Sequence, residues 1–101
     1  MDCVSLGRLV EEMNQTEILD ILQEECAEVI QMISKCRRFG IDEIHIKSGE
    51  TNRARLVEEV GDVMCMIQLM QEAGIIDIAE VMFAAGKKRI KLKEWSKVYE
   101  D

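Results

Sequence analysis

Two stretches of the chain put carboxylates where a helical pattern reserves places for apolar side chains. Glu24-Glu25-Cys26-Ala27-Glu28 and Glu58-Glu59-Val60-Gly61-Asp62 both read Glu-Glu-x-x-acid. On a helix turning about 100° per residue, Ile18, Ile21, Leu22, Val29, Met32, Ile33 and Cys36 share one broad apolar face. Glu25 falls in the middle of that face, and Glu28 lies at its edge one turn along. The second stretch repeats the anomaly. Leu56, Val60, Val63, Met66, Ile67 and Met70 form a face, Glu59 projects between Met66 and Met70, and Asp62 sits at the border. Carboxylates buried without partners cost several kcal/mol each, so a fold that packs these faces together must protonate the acids or bring positive charge to them. Inward salt bridges to Lys or Arg are one solution. A bound cation is the more direct one.

The rest of the chain reads as helix. Proline is absent, aromatics are 4% and 48% of the residues are apolar, which excludes all-β, collagen-like and disordered classes and supplies a core for one domain, residues 1–101. Periodicity predicts a short helical start over 4–13, long helices over 15–38 and 53–73, and a third over 78–98. Asn14 with Glu17 and Asp77 with Glu80 read as capping boxes, Thr51 or Asn52 as a cap, and Gly40 and Gly74 as left-handed helix ends. The expected fold is an all-α antiparallel helical bundle. Residues 40–52 are too long for a tight helix–helix turn and read as an excursion that covers a site.

Charge and cysteine usage narrow the partners. Twenty acids against thirteen Lys and Arg give a net charge of -7, which argues against binding a nucleic-acid polymer. The longest apolar run, around residues 63–70, is far short of the roughly 20 residues needed to span a bilayer, so no membrane span is expected. Cys3, Cys26, Cys36 and Cys65 show no CxxC spacing, and no secretory pattern opens the sequence. Free thiols in a reducing cytoplasm are expected.

Oxygen-only ligands favour Mg²⁺, Mn²⁺ or Ca²⁺ over zinc. Neither acid pair ends in histidine, so the Glu-x-x-His pattern of di-iron bundles is missing. A carboxylate-bound Mg²⁺ in a helical protein suits phosphate chemistry. Here the sequence becomes specific: Glu24-Glu25-Cys26-Ala27-Glu28 followed by Glu58-Glu59-Val60-Gly61-Asp62 resembles the EExxE…ExxD signature of the MazG-like, all-α nucleoside triphosphate pyrophosphohydrolases. Arg38-Phe39-Gly40, Thr51-Asn52 and a late Lys-rich helix extend the resemblance over about residues 22–92. It implies that Glu25, Glu28, Glu59 and Asp62 hold magnesium, with Mn²⁺ as a substitute, and that Glu24 and Glu58 assist a further ion or the attacking water. It also implies cleavage between the α and β phosphates and a base or sugar contact for Asn52.

Six of the thirteen basic residues fall in the segment 87–97 of an otherwise acidic chain. Lys88 and Arg89 lie within the arc of Ile78, Val81, Met82, Ala85, Leu92 and Tyr99, with Lys91 more peripheral, and are the expected phosphate contacts. Arg37, Arg38, Arg53 and Arg55 flank the 40–52 segment as surface charges or further phosphate contacts. Trp95 and Tyr99 read as core or interface anchors, Met64, Met66, Met70 and Met82 as core. Gly61 and Gly86, inside helices, suggest close packing or ligand approach. Met64, Cys65 and Leu69 leave their helix apolar nearly all round, so a homodimer or homotetramer is expected, as the resemblance also implies. The reading from another class is a non-catalytic helical oligomer that binds a partner or a structural cation.

Overall fold

The computed structural model describes residues 13–100, and the helical start expected over 4–13, like Cys3, lies outside the described residues apart from Met13. Three helices follow in order: α1 (Gln15–Phe39), α2 (Asn52–Glu72) and α3 (Ile78–Trp95). The all-α expectation holds: among the described residues there is no strand, and an isolated antiparallel bridge joins Ile44 and Thr51.

Local chemistry sets the helix ends. Asn14 Oδ1 accepts from the Glu17 backbone N–H at 3.0 Å, and Thr51 Oγ1 accepts from that of Ala54 at 3.1 Å, so Thr51 rather than Asn52 caps α2. Asp77 caps α3 through the Ala79 N–H at 2.9 Å, one position earlier than a capping box requires. At the end of α2, Gly74 (φ 75°) donates to the Gln71 carbonyl and Ile75 to that of Met70, while Ile75 packs on the cluster containing Met70. This is a complete Schellman ending, and it turns the chain sharply into α3. Ser96 closes α3 by bonding the Leu92 carbonyl, so the helix stops at Trp95 and Tyr99 lies beyond it.

α1 and α2 pack along one another as an antiparallel hairpin. Gln15 Nε2 donates to the Ala73 carbonyl at 3.0 Å and pins the start of α1 to the end of α2. At that end Ile18, Met66, Met70 and Ala73 form the buried core, joined by half-buried Ile21, Leu22, Ile67, Leu69, Ile75 and Ile76. At the other end Asn52, 4% exposed, donates from Nδ2 to the Gly40 carbonyl at 2.9 Å. The connecting segment folds back on itself, with His45 N–H donating to the Glu50 carbonyl and Asn52 N–H to that of Glu43.

Several apolar side chains placed inward by periodicity, Ile33, Val60, Met82 and Tyr99 among them, are exposed in the single chain, as are Met64, expected as core, and Trp95, expected as a core or interface anchor. α3 packs along neither of the other helices and holds no buried residue. The radius of gyration, 17.6 Å, exceeds the ~13 Å of a compact chain of about 100 residues because α3 projects from the hairpin. A Cβ at Gly61 or Gly86 would meet nothing within 4 Å, so packing within the chain explains neither glycine.

Because the core is small, each of its members carries a large share. Met70→Ala should lower unfolding stability by about 2–5 kcal/mol in urea denaturation, the range for truncating a buried Met. A change below about 0.5 kcal/mol would show that this cluster does not hold the hairpin.

Candidate metal centre

One level above the apolar core, the hairpin brings the two acid motifs face to face. Glu25 from α1 and Glu59 and Asp62 from α2 each offer a carboxylate oxygen, and these three atoms lie within 4.8 Å of one another. Glu25 and Glu59 are half-buried and Asp62 is exposed. One oxygen of Glu25 and one of Glu59, both Oε2, are buried with no hydrogen-bond partner. Glu28 stands at the rim, exposed, and offers no oxygen to this group, although its carboxylate is near enough to raise the Glu59 carboxyl.

Electrostatics shows what this crowding costs. Burial, followed by the charges of Asp62 and Glu28, raises the Glu25 carboxyl above its ordinary value. The Glu28 side chain comes first in raising Glu59, then burial, then the charges of Glu28, Asp62 and Glu25. Carboxyls raised in this way keep their protons to a higher pH than isolated acids do. A divalent cation would do the work of those protons. Hard cations bond oxygen at about 2.0–2.6 Å, so two oxygens on opposite sides of one ion stand about 4–5 Å apart. The spacing of the three carboxylates and the two orphaned oxygens therefore fit such an ion.

Not every residue expected at the site is brought there. Glu24 and Glu58 lie beside the cluster in sequence, but both are exposed and neither offers an oxygen to it. Lys88, Arg89 and Lys91 are exposed on α3, away from any packed helix, and the Lys88 ammonium instead sits 4.9 Å from the centre of the Trp95 ring. Asn52 is buried, with Nδ2 spent on Gly40 and Oδ1 accepting from Arg55 at 3.3 Å, so it anchors the connecting segment. Positive charge does gather elsewhere. Lys35, Arg38, Lys47 and Arg55 line a cavity of about 710 Å³ beneath residues 43–47. Lys35 and Lys47 were not among the expected site residues, although Lys35, seven residues from Glu28, sits at a spacing that keeps it on the same side of α1.

These features define an all-α protein with a carboxylate centre between two antiparallel helices. The sequence model of the MazG nucleotide pyrophosphohydrolase domain matches residues 13–95, and the chain belongs to that family. No curated protein and no solved structure gives a match.

The raised carboxyls make stability depend on pH. A carboxyl whose pKa rises on folding stabilises the fold while protonated; that contribution is complete below the ordinary value of 4.5 and is lost as pH climbs through the raised value. In metal-free buffer, the melting temperature of Glu59→Gln should therefore gain on that of the wild type as pH rises from about 4.5 towards neutrality. Mn²⁺ at neutral pH should raise the wild-type melting temperature and leave the variant nearly unchanged. Parallel melting curves, with and without the ion, would contradict this account of the cluster.

Proposed function

We propose that the chain is a Mg²⁺-dependent nucleoside triphosphate pyrophosphohydrolase, converting a nucleoside or deoxynucleoside triphosphate to the monophosphate and pyrophosphate. The observation that carries this reading is the pair of orphaned oxygens on Glu25 and Glu59, buried between the helices of a MazG domain. Glu25, Glu28, Glu59 and Asp62 would hold the cation, with Mn²⁺ as a substitute. Bound there, it supplies positive charge that polarises phosphoryl oxygens and eases deprotonation of water.

The protein's own groups handle position and protons. Glu24, exposed next to Glu25, orients the attacking water and takes its proton as general base. The water oxygen bonds to the α-phosphorus while the bond from that phosphorus to the α,β-bridging oxygen breaks. Pyrophosphate leaves with that electron pair. Glu58 extends the acidic rim.

Lys88, Arg89 and Lys91 serve as phosphate contacts in this reading only within a homodimer or homotetramer, where α3 gains a packing partner. Support comes from the apolar side chains that α3 exposes: Met82 at 64%, Phe83 at 68% and Ile90 at 62%. Light scattering should give at least twice the 11.6 kDa chain mass, and a monomer would remove this part of the proposal. Among the described residues no helix is long and apolar enough to cross a membrane. Cys26, Cys36 and Cys65 are free, which supports a reducing, cytoplasmic setting.

The decisive assay measures products from a panel of ribo- and deoxyribonucleoside triphosphates with Mg²⁺. At least one should yield monophosphate and pyrophosphate. Glu59→Gln should lower turnover by more than about 100-fold, since it removes a ligand rather than one of the outer partners whose loss costs 10–100-fold. Its circular dichroism should remain helical. Full activity in that variant, or release of orthophosphate in place of pyrophosphate, would refute the reading.

A further inference from the structure

Along the α1–α2 seam the charge changes sign. Arg55 lies four residues before Glu59 on α2, and Lys35 seven residues past Glu28 on α1, about 6 Å and 10 Å along the helix axes. Spacings of four and seven keep each cation on the same helix face as its acid. Both cations line the 710 Å³ cavity under the connecting segment, together with Arg38 and Lys47.

Glu43 is the one acid in this lining, against four cations, and two of the cations are held in place. Arg55, half-buried, donates to Asn52 Oδ1 at 3.3 Å, and the Arg38 guanidinium stands 5.0 Å from the centre of the Phe39 ring. Among the described residues the only ion pair is Arg53 with Asp42, so no carboxylate pairs with the four cations. His45, in the cavity wall, has its pKa lowered by burial first and then by the charges of Arg55, Lys35 and Lys47. A neutral base would leave these cations uncompensated and would find the Phe39 ring already covered by Arg38. An anion fits.

We propose that this cavity holds the β- and γ-phosphates of the substrate, and hence the departing pyrophosphate, when the α-phosphate lies at the carboxylates. The inference rests on the pyrophosphohydrolase reading and adds Lys35, Arg38, Lys47 and Arg55 as the groups that bind the leaving group. Two phosphates joined beyond the α-phosphorus cover a distance on the order of the 6 Å from Glu59 to Arg55. The cations would then offset charge that builds on the leaving oxygen as the bridging bond breaks.

The test is calorimetric titration of the Mn²⁺-loaded protein with inorganic pyrophosphate and, separately, with a nucleoside monophosphate. Replacing both exposed lysines (Lys35→Ala with Lys47→Ala) should weaken pyrophosphate binding by about tenfold or more, as loss of charge-assisted contacts implies. Monophosphate and Mn²⁺ affinities should stay within about twofold. Arg55→Ala removes the bond to Asn52 and can loosen the connecting segment, so Arg55→Lys, which keeps the charge, should retain most of the pyrophosphate affinity. Unchanged pyrophosphate binding in the double variant would overturn the proposal, as would an equal loss of monophosphate binding. Lysine-dependent pyrophosphate binding by a wild type that hydrolyses no triphosphate would support the anion site and sink the reaction reading instead.

Discussion

The structure turns on a contest between apolar contact and like-charge repulsion at one helix–helix seam. Ile18, Met66, Met70 and Ala73 draw the start of α1 onto the end of α2, and the Gln15 bond to Ala73 fixes their register. With that register set, continued antiparallel packing carries Glu25, about two turns along α1 from Ile18, to Glu59 and Asp62. The repulsion is tolerated rather than avoided. Raised carboxyl pKa values and two oxygens without partners are its traces.

The hairpin consequently has an ordered axis: an apolar clamp, then carboxylates, then cations beneath the connecting segment. A triphosphate with a divalent ion carries a complementary order, positive where the acids lie and negative beyond it. Rigid helices hold the middle layer, while Asn52 and the Ile44–Thr51 bridge tie down the cationic end. Placing reactive groups on packed helices and the anion site on an anchored segment keeps both within a narrow range of positions.

Much of this was legible in the sequence because it depends on neighbours a few residues apart. Asn14, Thr51, Asp77 and Gly74 mark helix ends through local hydrogen bonds, and the position of Glu25 among Ile18, Ile21 and Met32 follows from helical period alone. The clustering of Glu25, Glu59 and Asp62 needed one further step, antiparallel packing of adjacent helices. Features that depend on distant contacts were not legible. The burial of Asn52 arises from its bond to Gly40 across the connecting segment, and the gathering of Lys35 and Lys47 from the path of that segment. The period of α3 marks Met82 and Leu92 as apolar but does not say what covers them, and the basic residues assigned inward by that period stand exposed in the single chain.

The central claim is that a divalent ion belongs where the two acid motifs meet. Anomalous scattering from a crystal grown with Mn²⁺ tests it most directly. The account predicts a strong peak bonded to Glu25, Glu59 and Asp62 at about 2.0–2.6 Å. A peak elsewhere, or none there with the three carboxylates turned to solvent, would contradict it.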